Sequence, residues 1–453
     1  MKMQETVELF RFLLIPIKFR QTECRTVCRN FFYSLKQIVY KFCYTMSKNG
    51  AYHLTEESIM RIAQFSDSFL PIVDGVGRVV LNYANHIADK GHECYVMAPM
   101  TNTGFRGGYK FEMVDYRSMN LRGRQYKVGV PFVDPHFQAR MNNIELDIIH
   151  AHSPFTAGQA AYLYAKKRGI PLVGTFHSKY KDDFRQMTGV NVIAEVGTKY
   201  VVDFYDKCDE VWTVGESSAE TLRSYGYKQK VVVMQNGADE QVIDPADKAY
   251  AEEKFGLGAE PVLLFVGQQD WKKNIERILL AAAEINNKGL AFKLVMAGMG
   301  PHSKEIMKRA SSLKLDDKMV YTGHISDSNL LAGIYQCADL LVFPSLYDNA
   351  PMVIREAASF GTASVVVRGS CAAEPIIDGE NGFLCEDNTA DLAYVMEKAI
   401  NDTERMKFIG EAARRTIPVN WDIIIDDVLQ RYTNLTCNCS KCERGRKLFA
   451  FNR

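Results

Sequence analysis

The sequence predicts an α/β protein of two doubly wound, Rossmann-like domains facing each other across a cleft. Three observations predict it. Apolar, strand-like runs alternate with helix-like segments from Ile59 onward. Polar loops carrying glycine or proline follow many of the runs. The alternation restarts after a turn-rich break, "NGADEQVIDPADK" at 236–248. Alternating strands and helices imply parallel sheets covered on both faces. A chain of 453 residues suits two such cores rather than one.

In the first half, "IMRIAQF" (59–65) reads as a strand and "SDSFLPIVDGVGRVV" (66–80) as a Gly-bearing loop. "VLNYANHIADKG" has helical periodicity and stops at Gly91. The strands "HECYVMAP", "DIIHAH", "PLVGTFHS", "EVWTVGES" and "KVVVMQNG" follow, with helices expected near 157–168, 190–207 and 217–225. The second half restarts at "PVLLFVGQQ" (261–269) and continues through "KLVMAGMGP", "MVYTGHI", "LLVFPS" and "GFLCE". The expected organisation is a basic extension (1–57), a first domain (58–240), a second domain (241–417) and a tail (437–453).

Composition bounds the function. Lys and Arg number 55 against 54 Asp and Glu, so no global field attracts nucleic acid, and no nucleic-acid partner is expected. Residues 1–50 depart from that balance, with nine Lys/Arg against three Glu. Together with 101–130, a loop-rich insert holding Arg106 and Lys110, they suit peripheral contact with an anionic membrane. The plainer reading of the first is a poorly packed extension ahead of the body, and of the second a solvated basic loop. "LFRFLLIPI" (9–17) is too short to span a bilayer. The eleven cysteines sit mostly in apolar contexts, which suits a reducing compartment and a cytoplasmic protein. "CNCSKC" at the tail offers three thiolates, one short of a closed zinc site.

In open parallel sheets ligands sit beyond the carboxyl ends of the strands, so the loops there hold the candidates. Gly75 and Gly77 form either a phosphate-approach loop or a tight turn. "HAHSPF" places His150 and His152 two apart on a strand end, and their side chains are expected on opposite faces rather than as a metal pair. His177 ends the neighbouring strand. Lys272, Lys273 and Asn274 stand where a helix begins; lysines there oppose the helix dipole unless an anion such as a diphosphate binds. In "FPSLYDNAPMVIREAASFGTASVVV" (343–367), Pro351 suits a first helical turn, Asp348 or Asn349 a cap, and Gly361 the stop. Glu356 falls inside that helix among apolar neighbours, and its carboxylate requires hydrogen-bond donors.

Taken in order, these segments resemble the retaining glycosyltransferases of GT-B architecture, within them glycosyltransferase family 4. The resemblance runs from about Ile59 to Tyr432. Its strongest element is the family's pair of glutamates separated by seven residues, here Asp348, "NAPMVIR" and Glu356. "FVGQQDWKKN", "AGMGP", "GHIS" and "GSCAAEPIIDGENGFL" resemble further family segments, as do "SDSFLPIVDGVGRVV", "HAHSPF" and "GTFHS". The resemblance implies hexose transfer from a nucleotide sugar, UDP-sugar first and GDP-mannose second, to a glycan or lipid hydroxyl. No metal or other cofactor is expected, because no D-x-D pair suits a metal-bound diphosphate.

By position, the resemblance makes Glu356 the ribose ligand and sets Asp348 against a sugar hydroxyl. It puts Lys273 on the diphosphate, with the backbone of Asn349, Ala350, Pro351 and Met352. It sets His152 beside the transferred sugar, Gly75 and Gly77 below the phosphates, and His324 and Ile325 near the base. His177, Arg106 and Lys110 fall toward the acceptor. Helix 418–436 crosses back onto the first domain. The chain departs from the family in two places: Gln268 stands where an Arg is usual, and Asp348 where a Glu is usual. Two other readings are a nucleotide-sugar binder with little or no transfer, and an oxidoreductase. The latter lacks a G-x-G-x-x-G turn followed by an acidic residue.

Overall fold

The computed structural model describes residues 59–69, 74–99, 107–120, 127–239 and 241–437. The basic residues 1–50, Arg106 and the CNCSKC thiols beyond Cys437 lie outside them.

The first half forms a seven-stranded parallel sheet from β1 (Arg61–Phe65), β2 (Glu93–Pro99), β3 (Glu112–Tyr116), β6 (Ile148–Ala151), β7 (Leu172–Phe176), β8 (Glu210–Thr213) and β9 (Val231–Val233). Its order is β3-β2-β1-β6-β7-β8-β9, with β4 (Ser118–Asn120) and β5 (Lys127–Gly129) making a separate antiparallel hairpin. The second half forms a six-stranded parallel sheet, β12-β11-β10-β13-β14-β15. Its strands are β10 (Val262–Val266), β11 (Lys293–Ala297), β12 (Met319–Gly323), β13 (Leu340–Val342), β14 (Ser364–Val367) and β15 (Phe383–Cys385). Strands such as β6, β7, β13 and β14 are buried along their whole length. That is why they read as continuous apolar runs rather than as alternations. In both sheets the first strand in sequence lies centrally with its successor to one side. This order puts the strand ends of the two halves at a topological switch point, where ligands bind.

Three local readings change. The insert at 101–130 is not only loop: β3 is an edge strand with Met113, Val114 and Tyr116 buried. Its charged Glu112 and Asp115 interrupt the apolar signal, as befits a strand with one open edge. Pro135–Asn143 is a further helix, capped by Asp134, whose carboxylate accepts from the backbone N–H of His136 and Phe137. The break at 236–248 runs into a helix, Pro245–Phe255, with Asp244 as its cap and Pro245 in its first turn. The same Asp-Pro pair that reads as a turn also starts a helix. This helix packs on Ser328–Cys337 so closely that a Cβ at Gly333 would stand 2.0 Å from the carbonyl oxygen of Asp247.

The last helix, Trp421–Cys437, presents Trp421, Ile424, Ile425, Val428, Leu429 and Tyr432 at helical spacing, all buried. They share a core with Ile62, Val80, Tyr83 and Trp212 of the first half. Tyr432 stacks on Trp212 with ring centroids 5.6 Å apart. The Trp421 ring lies against Gly237, where a Cβ would come within 2.5 Å of it. Trp421→Ala is therefore expected to lower stability by about 3–5 kcal/mol, the range for a buried aromatic. Urea titration followed at Trp212 measures it. A loss below about 1 kcal/mol would mean this helix is not part of the first core.

Candidate active site

The carboxyl ends of the two sheets enclose a cavity of about 440 Å³. Gly75, His177, Gln268, Lys273, His324 and Ile325 line it. So do Asp348, Asn349, Ala350, Pro351 and Met352. Lys272 and Tyr347 join the same wall. Four of the expected residues do not line it. Gly77 is buried, and its N–H is spent on Asp74 Oδ1 at 2.7 Å, so it serves the turn rather than a ligand. His152 is 1% exposed and sits behind the wall. Lys110 pairs with Asp89 at the far end of helix Gly75–Asp89. Glu356 stands just outside, as described below.

Local sequence explains how the cations face inward. After β10 the chain makes a short turn, Trp271–Lys273, capped by Asp270. Asn274 then takes φ +62° and starts helix Ile275–Asn287. Asparagine is among the few residues that accept this left-handed conformation. Its amide holds the turn by donating to Pro344 O at 3.2 Å. The Lys273 ammonium pairs with Asp348, whose other oxygen accepts from Ser345 Oγ at 2.6 Å. Lys272 lies over the Tyr347 ring, 4.3 Å from its centroid.

Helix Met352–Ser359 points its N-terminus at the same space. Neither Asp348 nor Asn349 caps it, contrary to the sequence reading; Pro351 holds the N-cap position with no side-chain hydrogen bond. Asp348 is engaged by Lys273, and Asn349 donates instead to the carbonyl of His177 across the cleft at 2.9 Å. An uncapped helix N-terminus beside an ammonium group favours an anion. At the other end Gly361 has φ +77°, the expected left-handed stop.

Glu356 is satisfied within the protein. Arg78 Nη1 donates to Oε1 at 2.7 Å, and Tyr335 Oη to Oε2 at 2.8 Å. Burial, reinforced by the carboxylate, holds the Tyr335 hydroxyl protonated. Sequence reasoning missed Arg78, which lies 278 residues from its partner. It also missed the other contacts between the halves. Lys179 Nζ donates to Leu346 O at 2.7 Å, and the Tyr347 hydroxyl to Asp183. The Glu374 carboxylate accepts from the backbone N–H of Glu216 and Ser217, at 2.9 and 3.3 Å, and so caps helix Glu216–Ser224. No spacing pattern signals such pairs.

The histidines also differ from expectation. His150 and His152 do not diverge: their ring centroids are 4.1 Å apart. Residues two apart on a strand share a face, so alternation itself sets both rings on the Tyr83 side of the sheet, and the expectation of opposite faces was wrong. His152 Nε2 meets Gln64 Oε1 at 2.7 Å, and its Nδ1 meets His177 Nε2 at 3.0 Å. His150 lies between Tyr432 Oη and Thr175 Oγ1, each at 2.6 Å. Gln64 directs its amide N–H toward Tyr432 Oη, which leaves its Oε1 as a pure acceptor. His152 Nε2 therefore carries the proton, His152 Nδ1 accepts, and His177 Nε2 donates. The remaining nitrogen of His177, Nδ1, is an acceptor. Burial lowers the pKa of all three rings, well below the usual range for His150 and His152 and down to about 3 for His177. Among the described residues, no three His, Cys, Asp or Glu side chains converge to hold a metal ion. No helix among them is long and apolar enough to cross a membrane.

Comparison with known proteins places the chain. The family model described as Glycosyl transferases group 1 matches residues 248–416, and Glycosyltransferase Family 4 matches 73–242. A GDP-mannose-dependent alpha-mannosyltransferase of Corynebacterium glutamicum is 24% identical over 388 residues, 83% of this chain and 89% of that protein. The alpha-monoglucosyldiacylglycerol synthase of Streptococcus pneumoniae is 25% identical over 326 residues, 69% of this chain and 71% of that protein. Among solved structures, Anabaena HepE in complex with UDP superposes with a TM-score of 0.69 at 17% identity, over 83% of this chain and 100% of that one. The sucrose-phosphate synthase of Thermosynechococcus elongatus gives 0.70 at 19%, over 83% and 99%. With the two family models spanning both halves and the two parallel sheets facing across the cavity, the chain belongs to glycosyltransferase family 4 and has the GT-B fold.

Proposed function

We propose that this glycosyltransferase moves a hexose from a nucleotide sugar to a hydroxyl of a glycan or lipid acceptor, with retention at the anomeric carbon and without a metal ion. The observation that carries the reading is the wall where Lys273 and the uncapped N-terminus of helix Met352–Ser359 meet. As the glycosidic bond stretches, positive charge grows on the anomeric carbon and negative charge on the departing diphosphate. The ammonium and the helix dipole sit ready to hold that negative charge. On this reading Glu356 takes the ribose, Asp348 a sugar hydroxyl, and His324 and Ile325 border the base.

The acceptor hydroxyl attacks from the face that the diphosphate leaves. Its proton passes to the leaving phosphate oxygen as the new C–O bond forms and the old one breaks. A ring titrating near 3 is a poor proton sink, so His177 acts through a hydrogen bond at Nδ1 rather than as the base. His152 supports it from behind. The exposed apolar side chains Met187, Val192, Ile193 and Val196 favour a lipid-bearing acceptor. They belong to helices Tyr180–Thr188 and Asn191–Tyr205, and the first of these begins beside the cavity-lining Lys179. The glucosylated diacylglycerol in the name of the Streptococcus relative points the same way.

The test is a panel of UDP- and GDP-sugars offered with membrane and glycan extracts. The expected result is release of the matching nucleoside diphosphate with one donor, slowly even without acceptor. Binding without release under every condition would make the chain a nucleotide-sugar binder. A product with inverted anomeric configuration by NMR would overturn retention. Undiminished turnover in EDTA is the expected sign of metal independence.

A further inference from the structure

Arg78 sits in the first turn of helix Gly75–Asp89, one residue past Gly77. Its side chain is 40% exposed and lines the cavity. Its ion pair with Glu356 joins the two halves of the protein across the cleft. The two donors on Glu356 are unequal. Tyr335 is buried, belongs to the same half and cannot leave. Arg78 comes from the opposite half on a long, half-exposed side chain. Of the other cations of the wall, Lys273 is engaged by Asp348 and Lys272 by the Tyr347 ring, with Asp270 at 4.0 Å, both within their own half, while Lys179 reaches across only to a neutral carbonyl, Leu346 O. Around Gly75, in the same turn as Arg78, a Cβ would meet nothing within 4 Å, so the backbone there faces open space.

We propose that Arg78 is a phosphate ligand of the donor and changes partner when the donor binds. Its guanidinium leaves Glu356 for the diphosphate, and a ribose hydroxyl takes the vacated position on Glu356. The inference rests on the nucleotide-sugar reading above. The exchange leaves no hydrogen-bonding group unsatisfied: Glu356 keeps Tyr335 and gains a hydroxyl donor, while Arg78 gains phosphate oxygens. A guanidinium matches a phosphate bidentately, which an ammonium does not. A ligand with ribose but no phosphate must break the Arg78–Glu356 pair without compensation. The pair therefore selects for phosphorylated nucleotides and couples ribose recognition to phosphate recognition.

The experiment measures dissociation constants of UDP against uridine, and of GDP against guanosine, by calorimetry on wild type, Arg78→Ala and Arg78→Lys. For the base that wild type binds, Arg78→Ala is expected to weaken the diphosphate at least tenfold. The nucleoside should be unchanged or tighter, so the preference for diphosphate over nucleoside collapses. Arg78→Lys should restore part of that preference. An unchanged preference in Arg78→Ala, with an unchanged melting temperature, would make Arg78 a brace between the halves and overturn the proposal. Equal tightening of both ligands would make it a mere block, and would overturn it as well. If wild type binds none of the four, the donor reading itself fails and takes the proposal with it. That failure appears in the wild type and so differs from failure in the variant.

Discussion

Lys273→Gln is expected to cut the rate of sugar transfer by about 10²–10³-fold, with a much smaller change in donor affinity. The range is that for removing one preorganised group aimed at charge that develops in the transition state, about 2.7–4 kcal/mol. The ammonium is already in place, with only 12% of its side chain exposed, and needs no reorganisation as the diphosphate departs. Glutamine preserves much of the side chain's bulk while removing the charge. A second effect must be separated, because the variant strands the Asp348 carboxylate in a half-buried site. Lys273→Gln/Asp348→Asn removes both charges. Because Asp348 itself faces the sugar on the proposed reading, the double variant is compared with Asp348→Asn alone. If Lys273 only neutralises Asp348, the two have the same rate; if it acts on the leaving group, the double variant is the slower by most of the single-variant loss. Single-turnover measurement of nucleoside diphosphate release distinguishes these outcomes, and a loss under threefold in the single variant would remove Lys273 from the chemistry.

Acid is expected to destabilise the first half steeply from about pH 6.5 downward, before ordinary carboxylates protonate. The cause is the trio His150, His152 and His177, the first two buried and the third half-buried at the cavity wall. Burial lowers each pKa below its ordinary 6.5, and for His152 the neighbouring rings add to the effect. The sign follows from proton counts. Between the ordinary value and the lowered one, the unfolded chain holds a proton on each ring that the folded chain does not. Stability is therefore at its full value above 6.5 and falls as pH falls toward the folded-state values. Each ring contributes a slope of up to about 1.4 kcal/mol per pH unit, and the three together about 4. Asp67 and Asp74, which burial raises, act in the opposite sense at the acid end of the window. Urea titrations at pH 8, 7, 6 and 5 measure the slope. Trp212, 4.9 Å from the His150 ring, reports on this half. His177→Gln should remove about one ring's share. A flat profile between pH 7 and 5 would mean that the rings titrate normally in the folded protein.

Most of the architecture was legible in order. The runs at Ile148–Ala151, Leu172–Phe176 and Ser364–Val367 announced buried parallel strands, because a strand covered on both faces is mostly apolar, each of these admitting one buried polar residue, His150, Thr175 or Ser364. β3 was not legible: an edge strand keeps charged residues, and Glu112 and Asp115 hid it. The candidate site divided in a similar way. Gly75, Lys273, Asp348 and His177 come from loops after strands, and all of them reach the cavity wall. Gly77 and His152 come from the same loops and do not. The first is drawn back by the Asp74 cap; the second shares the buried sheet face of His150 and is held there by Gln64 and His177.

The sequence by itself determined which segments become strands and helices, where loops face the cleft, and which family the chain belongs to. Those properties are local: burial pattern, caps and glycine stops act within a few residues. Only the tertiary structure decided which charges meet. Glu356 needed donors on any reading, but its partners are Arg78 from the opposite half and Tyr335 from a neighbouring helix. Asn349 was a plausible helix cap, yet its amide crosses to His177. The three histidines share a proton arrangement only because Gln64 and Tyr432 converge on them from distant parts of the chain. A buried or half-buried polar group must find a partner, and the chain's own spacing does not say which one. That choice depends on how the two sheets and the last helix come together in space.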